Sequence, residues 1–178
     1  MTTLSEILGS AESVGVWNVV PERSTVGFKA KSLWGLVPVK GRYSEFTGDG
    51  QITDPQTVFG RIDIKAASLN TKLGKRDADL RSADFFDVEK FPDISVVVTG
   101  AEGISGDTAD LRADLTVKGT TKPLPLRAKV AVLDDGAVRI TTKADVNRKD
   151  FGVDGNLIGM IPDATTITAD VVFRRAGT

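Results

Sequence analysis

From Trp17 onward, apolar and polar residues alternate along the chain with a period of two, and that period predicts strands whose one face is buried. Residues 58–66 are the clearest run. Val58, Gly60, Ile62, Ile64 and Ala66 fall on one face, and Phe59, Arg61, Asp63 and Lys65 on the other. Earlier, Val26, Phe28 and Ala30 share a face; after a turn near Trp34–Gly35, so do Val37, Val39, Gly41 and Tyr43. Later, Ile94, Val96 and Val98 are followed by Leu111, Ala113, Leu115 and Val117, and then by Leu124, Leu126, Ala128, Val130 and Val132. Ile140, Thr142, Ala144 and Val146 come next, and Ile167, Ala169, Val171 and Phe173 close the series. Two clusters punctuate it: Thr47-Gly48-Asp49-Gly50 reads as a break, and Asp134-Asp135-Gly136 as a hairpin turn.

Roughly eight or nine strands in succession, each with one polar and one apolar face, predict an antiparallel sheet. An open sheet that wide leaves edges exposed, and closure into a barrel removes them; a two-sheet sandwich is the alternative. A short helical turn is expected at the start, where Thr3 and Glu6 form a capping box. Residues 1–14 read as a short extension and 15–178 as one barrel domain.

One segment breaks the period. Residues 73–90 read as helical, with Asp77 and Arg81 at ion-pair spacing, Leu80 on the face of Arg76, and Phe85-Phe86 at the end of the helix. Phe91-Pro92 returns the chain to extended geometry. The segment reads as a lid, charged outside and aromatic beneath, seated on one mouth of a barrel.

Strands of about ten residues, tilted by about 40°, enclose a space some 25 Å tall. The residues placed inside are mostly small, and the chain has only eight Phe, two Trp and one Tyr. A slender apolar guest fits such a tube, although the same alternation also describes a dry, interdigitated core. In the first case Val26, Phe28, Ile62, Ile64, Leu115, Val117, Leu126, Val130, Ile167 and Val171 line the tube, and Phe85 and Phe86 seal it. Arg76, Arg81, Arg148 and Lys149 are the candidates for contact with a polar head group.

Composition narrows the function. With 23 basic and 24 acidic residues interspersed, nothing draws the chain to nucleic acid. Cysteine and histidine are absent, which removes thiol and imidazole chemistry; no metal site, cofactor or catalytic residue is expected. No run of about twenty apolar residues spans a bilayer. The first residues lack the basic start and apolar run of a secretory signal, so a cytoplasmic, non-enzymatic protein is expected. Two alternatives stay open: a lipid- or sugar-directed hydrolase using Asp77, Asp79, Asp84, Asp87 or Glu89, and a barrel scaffold that holds no ligand.

Arg76-Asp77, Leu80-Arg81-Ser82, Asp84-Phe85-Phe86-Asp87 and Pro92 resemble the signature block of the YceI-like family, lipocalin-like barrels that bind polyisoprenoids. Ser24, Phe28 and Val39-x-Gly41 are similar to its earlier segments, with Tyr43 standing at an aromatic position written as Phe. Residues 115–122, Leu-Thr-Val-Lys-Gly-Thr-Thr-Lys, and Asp150-Phe151-Gly152 are similar to its later ones. The resemblance implies a lipocalin-like antiparallel barrel of about eight strands. It also implies a long-chain isoprenoid or other apolar small molecule as ligand, carried without chemistry, and a homodimer as the assembly open to it. Arg23 and Asp79 stand where the family often has His, which implies a head-group contact different from the family's usual one.

Overall fold

The structure, a computed structural model, describes residues 13–32, 37–53, 57–153 and 164–176. The expected capping box at Thr3 and the turn near Trp34–Gly35 lie outside them. The described strands are β1 (Gly15–Val19), β2 (Thr25–Ser32), β3 (Val37–Tyr43), β4 (Phe46–Thr53), β5 (Thr57–Lys65) and β6 (Leu69–Asn70). After helix α1 (Gly74–Arg81) follow β7 (Asp93–Ser105), β8 (Thr108–Val117), β9 (Thr120–Pro123), β10 (Leu126–Val132), β11 (Val138–Asn147) and β12 (Ala164–Arg175).

Every pairing is antiparallel. The circuit β1-β4-β5-β7-β8-β10-β11-β12 returns to β1 through Trp17↔Arg175, Asn18↔Arg174 and Val19↔Phe173, so eight strands close a barrel. Strand β12 is long enough to serve two neighbours, meeting β1 near its end and β2 at Thr166–Asp170. Between β1 and β2 the chain makes a tight turn at Pro21–Arg23, which breaks the backbone ladder. The Ser24 hydroxyl repairs it, accepting from Val172 N at 2.9 Å and donating to Val20 O at 2.7 Å. Strand β5 likewise continues past the turn at Ala66–Ser68 into β6, which pairs Tyr43↔Leu69 with β3.

The alternation sorts as expected. On β8 the burial runs from Ala109 through Ala113, Leu115 and Val117, with Asp110 and Arg112 facing out. On the outer face, charges meet across strands: Lys65 with Asp93 at 2.7 Å and Arg127 with Asp110 at 2.8 Å. Such exposed pairs contribute about 0–1 kcal/mol each, so they favour register more than stability. The Asp134-Asp135-Gly136 hairpin is present, with Gly136 at φ 83° and Gly136 N donating to Leu133 O.

Two expectations are corrected. Thr47-Gly48-Asp49-Gly50 is no break but the middle of β4. Gly48 answers crowding: a Cβ there would lie 2.8 Å from both Arg61 O and Val19 Cγ2. The helix, expected to run through residues 73–90, is eight residues long, and Ser82 ends it. Residues 82–90 are successive turns, held by Phe86 N to Leu80 O (3.0 Å), Asp87 N to Ser82 O (2.9 Å) and Val88 N to Arg81 O (3.2 Å).

Candidate functional site

The principal apolar cluster rings an internal cavity of about 410 Å³ between the barrel wall and the lid. Seven of its lining residues are polar, namely Tyr43, Arg76, Thr142, Lys143, Arg148, Thr165 and Thr168; the rest are hydrocarbon or glycine. No aspartate or glutamate lines it. Among the described residues, no three acidic side chains gather as a metal site would require.

Of the residues expected to line or seal a tube, Val26, Phe28, Ile62, Ile64, Phe85, Phe86, Leu115, Val117, Leu126, Ile167 and Val171 all face this cavity. Val130 does not. It packs with Ile52, Val58, Ile104 and Leu111 around Ala109 in a separate apolar cluster. Four residues past Leu126, it lies about 13 Å further along the strand, opposite Ile140.

Arg76 and Arg148 are on the cavity wall, whereas Arg81 and Lys149 are not. The ion pair expected between Asp77 and Arg81 does not form. Asp77, expected to pair with Arg81, is 6 % exposed and accepts from Thr71 N at 2.9 Å and Thr71 Oγ1 at 2.5 Å. Arg76 donates to the same threonine, Nε to Oγ1 at 2.8 Å and Nη2 to its carbonyl at 2.7 Å. Arg81 donates to Ala67 O at 2.9 Å and Leu69 O at 2.8 Å. These charges staple the helix to the strand end beside it, because a guanidinium fork satisfies two acceptors at once.

The other motifs meet at the same mouth. Lys118, held at φ 52° beside Gly119, reaches across to donate to Ala83 O at 2.9 Å and Gly152 O at 3.0 Å. It thereby ties the lid to the turn Arg148–Phe151, whose Phe151 is buried on the cavity wall. Arg148 Nη1 donates to Val153 O at 2.6 Å and locks that turn. Gly41 seats Phe28 opposite it: a Cβ there would come within 2.4 Å of the ring, which fills the gap instead and stands 5.9 Å from the ring of Tyr43.

The two departures from the family pattern sit away from the cavity. Arg23 is on the outside, donating at 2.8 Å to Asp135, which also accepts from Arg174 at 3.1 Å. The Ala137 amide and these guanidiniums hold the Asp135 carboxyl below its usual range. Asp79 caps the helix end through its carbonyl, which accepts from Ser82 N and Oγ. The altered head-group contact expected from these two positions therefore does not arise from the cavity wall. Sequence reasoning passed over Tyr43, Leu80, Phe151 and Val153 as lining; for Tyr43 its parity with Val39 and Gly41 was the available signal.

Comparison with known proteins agrees with this geometry. The chain matches the YceI-like domain over residues 17–173. It is 32% identical over 159 residues to a UPF0312 protein of Pseudomonas putida, covering 84% of this chain and 78% of the relative. A UPF0312 protein of Pseudomonas fluorescens is 31% identical over 144 residues, covering 77% and 73%. Among solved structures, Burkholderia cenocepacia BcnA superposes with a TM-score of 0.79 at 18% identity, over 86% of this chain and 98% of its own. A polyisoprenoid-binding domain from Saccharophagus degradans gives 0.76 at 14%, over 89% and 98%. The Campylobacter jejuni YceI protein gives 0.64 at 25%, over 75% and 83%. On the match along almost the whole barrel, and on relatives above 30% identity, the chain belongs to the family of YceI-like domains.

Proposed function

We propose that this protein binds a long apolar molecule, an isoprenoid or a similar lipid, inside the barrel and carries or sequesters it without altering it. The observation that carries this reading is the lidded cavity of about 410 Å³ with an almost wholly hydrocarbon wall. An apolar cavity of about 150 Å³ takes one benzene ring, so in proportion this one holds about sixteen carbon atoms, or three isoprene units. At about 0.8 kcal/mol per buried methylene, such a chain gains on the order of 13 kcal/mol. An association cost of about 5 kcal/mol leaves affinity near micromolar. The Saccharophagus degradans neighbour, described as a polyisoprenoid-binding domain, supports the same class of ligand. A cavity wall without carboxylates supports carriage over hydrolysis.

Organic extraction of the purified protein followed by mass spectrometry tests the proposal. A stoichiometric isoprenoid or lipid is expected in the extract. A clean extract, together with no rise in melting temperature on adding prenyl alcohols or quinones, would refute it.

A further inference from the structure

Tyr43 is the only tyrosine in the chain, and it stands at a family position written as phenylalanine. It is 8 % exposed and lies on the cavity wall between Val26 and Leu69, its neighbours in register on β2 and β6. Its hydroxyl makes no hydrogen bond to any described residue. Among the described residues no fully enclosed side-chain oxygen or nitrogen lacks a partner. The phenol oxygen is therefore not fully enclosed, and the residue that carries it lines the cavity.

A buried hydroxyl without a partner costs about 1–3 kcal/mol, so a group kept this way in a mostly hydrocarbon wall points at something its neighbours do not supply. We propose that Tyr43 is a specificity-determining residue of the cavity, its hydroxyl donating a hydrogen bond to a neutral oxygen acceptor, such as a ketone, quinone or ester carbonyl, on an otherwise hydrocarbon ligand. This rests on the reading that the cavity binds an apolar ligand. The acceptor is neutral because its surroundings, Val26, Phe28 and Leu69, give an anion no compensation. The guanidiniums of Arg76 and Arg148 donate to protein groups, Thr71 and the Val153 carbonyl. Burial also pushes the phenol above its ordinary range, so it acts as a donor and not as an anion.

The test uses the whole chain labelled with ¹³C at the tyrosine ring carbon bearing the hydroxyl, which gives a single resonance. Two probes on the farnesyl skeleton are compared, each against both the parent and the Tyr43→Phe chain: farnesylacetone, which carries a ketone, and farnesane, a saturated hydrocarbon. Farnesylacetone is expected to shift the resonance and farnesane to leave it nearly in place. Tyr43→Phe removes an unpaired hydroxyl and keeps the ring, so the fold is retained. It is expected to weaken farnesylacetone binding about three- to tenfold while farnesane binds at least as well as before. If both probes bind but the resonance and the affinities ignore the ketone, Tyr43 has no such role and the apolar-carrier reading survives. If neither probe binds, both fall.

Discussion

Phe85 and Phe59 are the same residue in opposite environments, and their truncation to alanine measures how far the lid belongs to the core. Phe85 is 4 % exposed and sits in the principal cluster, whereas Phe59 is 46 % exposed on the outer face of β5. Truncating a buried phenylalanine costs about 3–5 kcal/mol, of which part is the energy of the empty space left behind. The space left by Phe85 opens into an existing cavity, so one side of the ring already lacks packing partners, and the lower end is expected, about 3 kcal/mol. For a chain of this length that lowers the melting temperature by about 6–12 °C. Phe59→Ala is expected to stay within about 0.5 kcal/mol, a shift of at most about 2 °C. Calorimetric melts of the two variants beside the parent, at one protein concentration and stripped of lipid, make the comparison. Equal, small shifts would show that the lid rests on the barrel without packing into it, and would refute the placement of Phe85 in the core.

Ser24→Ala removes the hydroxyl that bridges Val20 O and Val172 N, and leaves the amide of Val172, 3 % exposed, without its partner. A loss of about 1–3 kcal/mol is expected by urea unfolding, and a change below about 0.3 kcal/mol would contradict the bridge. Gly41→Ala places a methyl where the Phe28 ring lies and should cost about 1–3 kcal/mol. In a Phe28→Ala background most of that cost should vanish, and strict additivity would show that the ring is not the obstacle. Tyr43 sets a limit at high pH. Burial raises the phenol above its ordinary value, and unfolded tyrosine titrates at about pH 10. Its contribution to stability is therefore fully present below about pH 10 and is lost as pH rises past it, because the unfolded chain then releases a proton that the folded chain keeps. With one tyrosine in the chain, tyrosinate absorbance should be absent from folded protein at about pH 11 and appear on adding denaturant. Ordinary titration in the folded state would contradict the burial.

The barrel was legible because its strands carry one apolar and one polar face, so parity alone assigns Ile62 inward and Arg61 outward. Parity does not say which apolar cluster an inward residue joins, and Val130, on the correct face, packs around Ala109. Glycine signals both turns and close approach, and at Gly48 the second meaning holds: the opposing Arg61 carbonyl and Val19 leave no room for a Cβ. The lid's charges were misread for a related reason. Helical spacing reports which side chains neighbour one another along the helix, and so suggested Asp77 with Arg81. Their partners are Thr71 and the carbonyls of Ala67 and Leu69, groups whose orientation is set by the strand end at β6. Lys118 is a further case, since its two acceptors come from segments 34 and 35 residues away along the chain.

The measurement closest to the central claim is a calorimetric titration of lipid-free protein with isoprenoid alcohols of increasing length. A cavity of about 410 Å³ predicts affinity that climbs with each added isoprene unit and levels off near three units, about fifteen carbons, where further chain gains no more buried surface. Ala144→Trp, which fills the cavity from β11, should abolish that climb. Affinity that ignores chain length, or a climb that survives the filled cavity, would show that the barrel interior is not where this protein holds its ligand.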